Sequence, residues 1–194
     1  MPKIDTFSFY SNAIKKYGTT AKGVNWLSEK NQTLRFKEIT KLLPIQMQHY
    51  SLADAGCGFS DFYHYLRKTH KPIKTYTGID SHPTMVQIAK ERTGQNILCL
   101  DICNELLPIH DYYICSGALN VLTLFESHLF IQNCYNSSRE AFIFNVLYGD
   151  KESQTYNYFQ KETLESIAKE LNVKKVVYKE GYLKNDITVM FLKK

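Results

Sequence analysis

Two glycines and two acids occur within the ten residues LADAGCGFSD at positions 52–61. Gly56 and Gly58 let the backbone turn tightly and approach a ligand closely. A dinucleotide-binding fingerprint starting at Gly56 needs glycine at position 61, where Asp61 instead sets a negative charge against a pyrophosphate at the helix start. No Gly-Lys-Ser/Thr ends the turn, which excludes a P-loop. Asp54 directly precedes the turn and therefore predicts a cationic ligand, such as an ammonium or a sulfonium.

Two further acids follow apolar runs farther along the chain. Asp80 lies about 20 residues after Gly58, the spacing at which an acid binds the hydroxyls of a ribose. Asp101 ends the next apolar run. A single acid at the end of a strand is usually a helix cap or a turn residue, so the indication comes from the series of three around one glycine turn.

The acids must be positioned by the elements that precede them. Apolar runs predict strands at 51–55, 74–79, 96–100, 112–115 and 141–147, and helical spacing between them predicts helices at 61–68, 83–92 and 124–135. This alternation is typical of an α/β fold, a Rossmann-like, doubly wound and mostly parallel sheet, whose ligands bind at the carboxyl ends of the strands. After a helix at 161–171, segments 173–180 and 186–192 predict an antiparallel edge hairpin, which completes a seven-stranded sheet. Such an edge neither requires nor forbids a dimer.

Length and composition predict one domain. With 194 residues, of which 44% are hydrophobic, positions 1–194 suit a single globular unit. Predicted helices at 6–17 and 30–43 make 1–45 an N-terminal helical lid over a core at 46–194. No apolar run approaches the ~18 residues of a membrane span, and no signal-peptide pattern occurs, so we expect a soluble protein without a membrane partner.

The cysteines and the charge exclude other classes of site. Five cysteines without a CxxC pair indicate reduced thiols and a cytoplasmic protein. Cys99 and Cys103 lack a second pair of ligands, and the nearest histidine, His110, follows a proline, so no metal site is predicted. The net charge of +5 comes from scattered lysines, a mild basic bias that fits an acidic substrate or RNA but is more typical of a solvated surface.

The stretch Asp54-Ala-Gly56-Cys-Gly58-Phe-Ser60 resembles the first motif, D/E-x-G-x-G-x-G, of class I S-adenosylmethionine-dependent methyltransferases, with Ser60 replacing the last glycine. The resemblance implies S-adenosyl-L-methionine as cofactor, with Asp80 on the ribose hydroxyls, Asp101 on the adenine amino group and Ile102 as an apolar wall. The cofactor-binding set that it implies is Asp54, Gly56, Cys57, Gly58, Asp80, Ser81, His82, Met85, Asp101, Ile102, Ser116, Gly117, Trp26 and Arg35.

The N-terminal segment resembles the lead-in of a little-characterised bacterial group of these methyltransferases. The residues that carry this resemblance are Tyr17-Gly18, Gly23-Val-Asn-Trp26, Ser28, Gln32 and Arg35-Phe36, together with Ser116-Gly-Ala-Leu-Asn120 after the fourth strand. Val24 and Asn25 separate the glycine from the tryptophan, which departs from the group's pattern. Phe36 is expected to pack in the core, whereas Arg35 either binds the cofactor carboxylate or an acidic substrate or packs structurally.

The acceptor of the methyl group is predicted to be a small molecule. The prolines of base-amino methyltransferases are missing after strand four, and the short segment 149–159 leaves no room for an RNA-binding domain. An acceptor on RNA or protein, or a cofactor-binding protein without catalysis, is the alternative. No single catalytic residue is predicted. The candidates are Asn120, Tyr113 and His110, followed by His82, His128 and Tyr148. The segment 148–158 is either a mobile lid or a polar surface connection.

Overall fold

The computed structural model describes residues 3–194. Its six α-helices are α1 Thr6–Tyr17, α2 Glu29–Leu42, α3 Asp61–Lys68, α4 Pro83–Thr93, α5 Leu124–Ser137 and α6 Lys161–Glu170. Its eight strands are β1 Ser51–Ala55, β2 Thr75–Asp80, β3 Asn96–Cys99, β4 His110–Ser116, β5 Ser138–Tyr148, β6 Tyr158–Phe159, β7 Lys175–Lys179 and β8 Asp186–Leu192. Single turns of 3-10 helix at Ala21–Val24, Met47–His49 and Ala118–Val121 complete the described chain.

The strands form one mixed sheet in the order β3-β2-β1-β4-β5-β8-β7. Strands β1 to β5 are parallel, and β8 lies antiparallel between β5 and β7. The predicted Rossmann-like α/β sheet with a C-terminal antiparallel hairpin is thereby confirmed. The two-residue strand β6 pairs with the end of β5 inside the segment that was predicted to be a connection.

Local sequence explains where several helices begin and end. Ser28 caps α2 by accepting a hydrogen bond from the backbone N–H of Asn31. Thr123 and Glu126 form a reciprocal capping box at the start of α5. Pro83 occupies the first turn of α4, and Gly94 ends that helix with φ 63°.

Helices cover both faces of the sheet, as a doubly wound fold requires. Helices α5 and α6 pack on one face through residues that include Phe130, Ile131 and Leu164. Helices α2, α3 and α4 pack on the other, where Phe36 and Ile39 of α2 join the core. Phe36 is therefore a core residue, as expected, and α2 packs against the sheet as closely as the other core helices do.

Strand β5 is longer than its predicted core of 141–147. It pairs with β4 on one side and with β8 on the other, so its polar first residues are also included in the ladder. Among residues 3–194, no helix has the length and apolar character needed to cross a membrane.

Candidate active site

A cavity of about 580 Å³ opens at the carboxyl ends of the parallel strands, a size typical of small-molecule sites. Side chains from the ends of β1, β2, β3 and β4 line one part, which we call the acidic half after Asp54, Asp80 and Asp101. We call the other part the tyrosine half, after Tyr10, Tyr156 and Tyr158, which lie on α1 and in the segment after β5.

The glycine turn is shaped by contacts within the protein. Gly56 has φ 72°, and a Cβ atom at this position would lie 2.4 Å from Cβ of Ala118, so no side chain fits. Gly58 has φ 53°, and Ser60 adopts φ 59°, the left-handed conformation that the family's last glycine takes easily. Ser60 therefore adopts the conformation that is required at the position where the motif has its last glycine.

The backbone N–H groups of this turn are already used. Those of Gly56 and Cys57 both donate to the carbonyl of Ile79, and that of Gly58 donates to Oδ2 of Asp80 at 2.9 Å. Phosphate cradles depend on free N–H groups that point at the ligand. These three N–H groups are therefore not available to a pyrophosphate, in agreement with the negative charge expected from Asp61, whose carboxylate pairs with Arg92.

Asp54 is a buried carboxyl that lines the cavity. It is 3% exposed, and its Oδ2 accepts a hydrogen bond of 2.7 Å from the hydroxyl of Tyr76. Burial raises its pKa to about 7, because the charged form loses hydration, while the bond from Tyr76 acts in the opposite direction. A cation bound beside Asp54 would restore the charged form, so this residue suits the ammonium group of S-adenosylmethionine.

Asp80 presents both carboxylate oxygens to the cavity wall. Oδ2 accepts from the N–H of Gly58 and Oδ1 from the N–H of His82, each at 2.9 Å. Burial raises the pKa of Asp80, and the two backbone donors oppose that shift. Since an ionised carboxylate has about four acceptor positions, each oxygen retains one for a ligand hydroxyl. These two acceptor positions fit the two hydroxyls of a ribose.

The end of β3 contributes one acid and an apolar wall. Asp101 lines the cavity, and its oxygens also accept from the N–H of Cys103 and the amide of Asn104, so it is a turn residue as well. Ile102 and Met85 are buried beside it and line the same wall. A flat apolar group such as adenine fits between such walls.

His82 is held by the N-terminal helix rather than left free in the cavity. Its Nε2 lies 2.9 Å from Oγ of Ser11, and its ring stacks on Phe7 with centroids 4.7 Å apart. It flanks the acidic half together with Ser81. Helix α1 therefore covers the edge of the cavity next to Asp80.

The end of β4 is packed against the lead-in segment. Gly117 has φ 94°, and a Cβ atom there would lie 3.0 Å from the ring of Trp26. The guanidinium of Arg35 lies 4.8 Å from the centre of the same ring. Ser116 donates from Oγ to Oδ1 of Asn145. These residues all line the cavity except Asn145, which is fully buried below it.

Arg35 has a protein partner that the sequence did not reveal. Its Nε and a terminal nitrogen both contact Oδ2 of Asp186, at the start of β8, and both side chains are buried. Tyr182 donates its hydroxyl to the other oxygen of Asp186. Arg35 was expected to bind a cofactor carboxylate or an acidic substrate, or else to pack structurally. The pair with Asp186 competes with such binding, because the charge of a buried guanidinium paired in this way is already neutralised.

Several candidate catalytic residues lie away from the cavity. His110 is at the amino end of β4, where it contacts Thr77 and Pro108, and Tyr113 donates its hydroxyl to the Pro108 carbonyl. The suggestion of His110 or Tyr113 as a catalytic group is wrong for this reason, since the cavity lies at the opposite ends of the strands. His128 pairs with Glu170 on the outer surface. Among the named candidates, Asn120 and His82 line the cavity, whereas Tyr148 does not.

Part of the cavity wall was not predicted from the sequence. The missed residues come from α1, from the segment after β5 and from the hairpin before β8, namely Phe7, Tyr10, Tyr156, Tyr158 and Lys184. None belongs to a local motif, and the only signal was their position in segments expected to cover the site. The segment 148–158 lines the cavity and is fixed to it, because the N–H of Asn157 donates to the Asn120 carbonyl at 2.7 Å.

Residues 53–139, from β1 to the beginning of β5, match a protein-family model described as a methyltransferase domain. The chain carries the domain of an S-adenosylmethionine-dependent methyltransferase. No curated protein matches the chain. The matched residues include Asp54, Asp80 and Asp101 at the ends of β1, β2 and β3.

Solved structures share the fold of this methyltransferase domain at low sequence identity. Magnesium protoporphyrin IX methyltransferase from Synechocystis PCC 6803, with bound S-adenosylmethionine, is 11% identical over 100% of both chains, with a TM-score of 0.71. Human N-acetylserotonin methyltransferase, in complex with S-adenosylmethionine, is 12% identical over 96% of this chain and 66% of its own, with a TM-score of 0.65. A methyltransferase bound to the Trm112 activator of Haloferax volcanii is 14% identical over 93% and 96%, with a TM-score of 0.71.

Proposed function

We propose that this methyltransferase acts on a small-molecule acceptor in the cytoplasm. The observation that carries the proposal is the cavity itself, which is covered by the chain's own segments, α1 on one side and Tyr156 to Tyr158 on the other. A cavity of about 580 Å³ that must also hold the cofactor leaves space for an acceptor of limited size. The solved structures that name magnesium protoporphyrin IX and N-acetylserotonin are methyltransferases of small molecules with this fold. Five free cysteines, three of them buried, agree with a reducing compartment.

The acidic half is proposed to hold S-adenosylmethionine. Asp80 binds the two ribose hydroxyls, Asp54 binds the ammonium group and Asp101 binds the adenine amino group. The remaining cofactor contacts come from the glycine turn, the start of α4 and the end of β4, namely Gly56, Cys57, Gly58, Ser81, His82, Met85, Ile102, Ser116, Gly117 and Trp26. Arg35 acts through Trp26, because it stacks on that ring and is tied to Asp186.

The chain's contribution to the reaction is position and the exclusion of water. When bound in the acidic half, S-adenosylmethionine would supply an electrophilic methyl group on a sulfonium, whose sulfur would keep the carbon–sulfur electrons when the methyl carbon bonds to a lone pair of the acceptor. Tyr10, Tyr156 and Trp26 surround the acceptor with rings and limit the access of water. Alignment of two reactants in this way accelerates a displacement strongly without a base. His82 is the one histidine of the described chain that lines the cavity, and Ser11 holds its Nε2.

The lid predicted for 1–45 is proposed to be confined to α1 and the 3-10 turn Ala21–Val24. Helix α2 packs in the core through Phe36 and Ile39, so it cannot move without disrupting the sheet face. Helix α1, in contrast, meets the core through side chains such as Phe7 and Ser11 on His82. Opening of α1 would expose the cavity for exchange of the cofactor.

We further propose that the chain is related to the little-characterised bacterial group whose lead-in it resembles. Trp26, Arg35 and Asn120 of that pattern all line the cavity, and Gln32 donates to Asp61 beside the glycine turn. The shared residues thus support one another around the site, which gives a physical reason for their occurrence together.

Calorimetric titration with S-adenosylmethionine and S-adenosylhomocysteine tests the cofactor site. Asp80→Ala removes two hydrogen bonds to a charged acceptor, each worth about 1.5–3 kcal/mol, so the affinity should fall by at least about a hundredfold. Glu165→Ala, which changes an exposed acid on α6, is the control and should bind as the wild type does. No binding by the wild type would contradict the cofactor site, and unchanged binding by Asp80→Ala would contradict the ribose assignment.

Incubation with labelled S-adenosylmethionine and a fractionated metabolite extract tests the acceptor class. Transfer of label to a small-molecule fraction is expected. Transfer to RNA or protein instead would contradict it, in which case Lys16 and Lys22, which flank the exposed ring of Tyr17, would be the first surface to examine. RNA binding at that surface would fall steeply with salt.

A further inference from the structure

Asn120 is fixed in the cavity with its amide nitrogen free. It is 7% exposed, and its Oδ1 accepts from the N–H of Leu147 on β5 at 3.0 Å. Its carbonyl accepts from the N–H of Asn157, which holds the backbone in place. Because Leu147 supplies a donor, the oxygen of the amide must face β5, and Nδ2 must face away.

The Nδ2 atom of Asn120 makes no hydrogen bond within residues 3–194, and it is not sealed from solvent. Since Asn120 lines the cavity and is almost fully buried, the open space that Nδ2 meets is the cavity. A buried donor of this kind is destabilising unless a ligand or a water oxygen accepts from it.

Tyr10 provides a second donor at the junction of the two halves. Its hydroxyl makes no hydrogen bond within the described residues, although it lines the cavity. Burial raises the pKa of Tyr10 above its ordinary range, and the negative charge of Asp80 adds to the shift. Tyr10 therefore remains protonated and able to donate at neutral pH.

The tyrosine half contains no free carboxylate among residues 3–194. Asp186 lines it but is neutralised by Arg35 and accepts from Tyr182. Lys184 is exposed at the edge of the cavity and has no ion-pair partner within the described chain. The rings of Tyr10, Tyr156 and Tyr158 offer flat apolar surface. The groups available to an acceptor are thus rings, one cation and several neutral donors, among which Nδ2 of Asn120 is fixed in place by the bond of Oδ1 to Leu147.

We propose that the methyl acceptor is an oxygen-bearing aromatic acid or phenol, whose oxygens accept from Nδ2 of Asn120 and from the hydroxyl of Tyr10. This inference rests on the proposed function of the same cavity. An aromatic ring fits between the tyrosines, and an oxygen accepts from donors that have no partner in the protein. A cationic amine is disfavoured, because it would face Lys184 and these donors, while the cofactor occupies the carboxylates of Asp54 and Asp80. Asn120 and Tyr10 would then determine specificity for the acceptor.

The experiment titrates the protein, saturated with S-adenosylhomocysteine, with 3,4-dihydroxybenzoate and with benzylamine. Wild-type protein should bind 3,4-dihydroxybenzoate at least tenfold more tightly than benzylamine. Asn120→Asp keeps the acceptor for the Leu147 N–H but replaces the donor with a carboxylate, and Tyr10→Phe keeps the ring but removes the hydroxyl. Asn120→Asp should lower the affinity for 3,4-dihydroxybenzoate at least tenfold and raise that for benzylamine, and Tyr10→Phe should lower the former several-fold.

Matched controls are Asn136→Asp and Tyr17→Phe, which change an exposed asparagine and a partly exposed tyrosine away from the cavity wall. S-adenosylhomocysteine binding is measured for every variant and should stay within about twofold of the wild type. Loss of that binding in the wild type would contradict the proposed function itself. With it intact, absence of 3,4-dihydroxybenzoate binding, a preference for benzylamine, or no effect of Asn120→Asp and Tyr10→Phe would overturn the acceptor inference alone.

Discussion

The acidic half and the tyrosine half of the cavity are assembled in opposite ways. In the acidic half, Asp54 and Asp80 lie in the last residues of β1 and β2, Asp101 lies two residues after β3, and the parallel strands bring these ends together. In the tyrosine half, Tyr10, Asn120 and Tyr156 come from a helix before the sheet, a turn after β4 and a segment after β5. One half depends on local succession along the chain, and the other depends on contacts between distant segments.

The difference extends to what holds each half in place. Backbone hydrogen bonds between neighbouring strand ends shape the acidic half, as with the N–H groups of Gly56 and Cys57 on the carbonyl of Ile79. Side-chain contacts over long sequence separations shape the tyrosine half, above all the buried pair of Arg35 and Asp186. The first half should therefore respond to backbone changes, and the second to the loss of single side chains.

Removal of Arg35 should have the largest effect on stability. Arg35→Met leaves the carboxylate of Asp186 buried without its partner, which costs about 3–5 kcal/mol. The double variant Arg35→Met/Asp186→Leu should recover most of that loss, because no charge then remains buried. Denaturant unfolding of the three proteins measures it. A single variant within about 1 kcal/mol of wild type would show that the tyrosine half does not depend on this pair.

A methyl group at Gly56 should destabilise the acidic half by about 3 kcal/mol, from the left-handed backbone and from overpacking against Ala118. Gly94→Ala is the matched control, since Gly94 has φ 63° but nothing within 4 Å of a new Cβ, so it should lose only about 1–2 kcal/mol. Thermal unfolding compares the two. Equal losses of stability in the two variants would mean that Ala118 moves away from the new methyl group at no cost in free energy.

The pH dependence of cofactor binding should report Asp54. Because its pKa in the folded protein is about 7, binding a cation below that pH must release a proton, so the affinity for S-adenosylmethionine should fall about tenfold per pH unit below 7. Asp54→Asn should bind weakly and lose this dependence in calorimetry between pH 5.5 and 8. An unchanged slope in Asp54→Asn would assign the titration to another group.

The charge of Asp54 has the opposite effect on the stability of the ligand-free protein. The folded pKa of Asp54 lies above the ordinary value of about 3.9, so the folded state holds the proton more tightly, and the ligand-free protein should lose stability as pH rises from about 4 to 7. Asp54→Asn should therefore be more stable than the wild type above pH 7 while it binds the cofactor less well. A lower melting temperature of the variant at pH 8 would contradict this.

The smallest effect is expected at the lid. Ser11→Ala removes one partly buried hydrogen bond to His82, worth about 1 kcal/mol, so opening of α1 should become about fivefold more frequent. Hydrogen exchange of α1 amides measures this. Ser8→Ala changes a serine that bonds to Asp5 within the same helix and should not alter the opening of α1 from His82. Similar exchange in both variants would mean that Ser11 does not hold the lid.

The fold and the acidic half were predictable because their signals are short. The run before Asp54, the glycines after it and the acid at Asp80 report on neighbours in sequence, and the alternation of strand and helix orders them in space. The candidates His110 and Tyr113 failed because residue type alone does not say at which end of a strand a side chain lies. Tyr10 was not predicted to line the cavity because a tyrosine on an amphipathic helix is usually a packing residue.

The sequence by itself determined the α/β alternation, the glycine turn and the three acids of the acidic half, since each follows from periodicity and spacing over a few residues. Only the tertiary structure decided that Arg35 meets Asp186, that Tyr10 and Tyr156 share one cavity with Asn120, and that the N–H groups of Gly56, Cys57 and Gly58 are bonded internally. These contacts join segments far apart in the chain. Their occurrence depends on how the helices and the hairpin pack on the sheet, which no local pattern records.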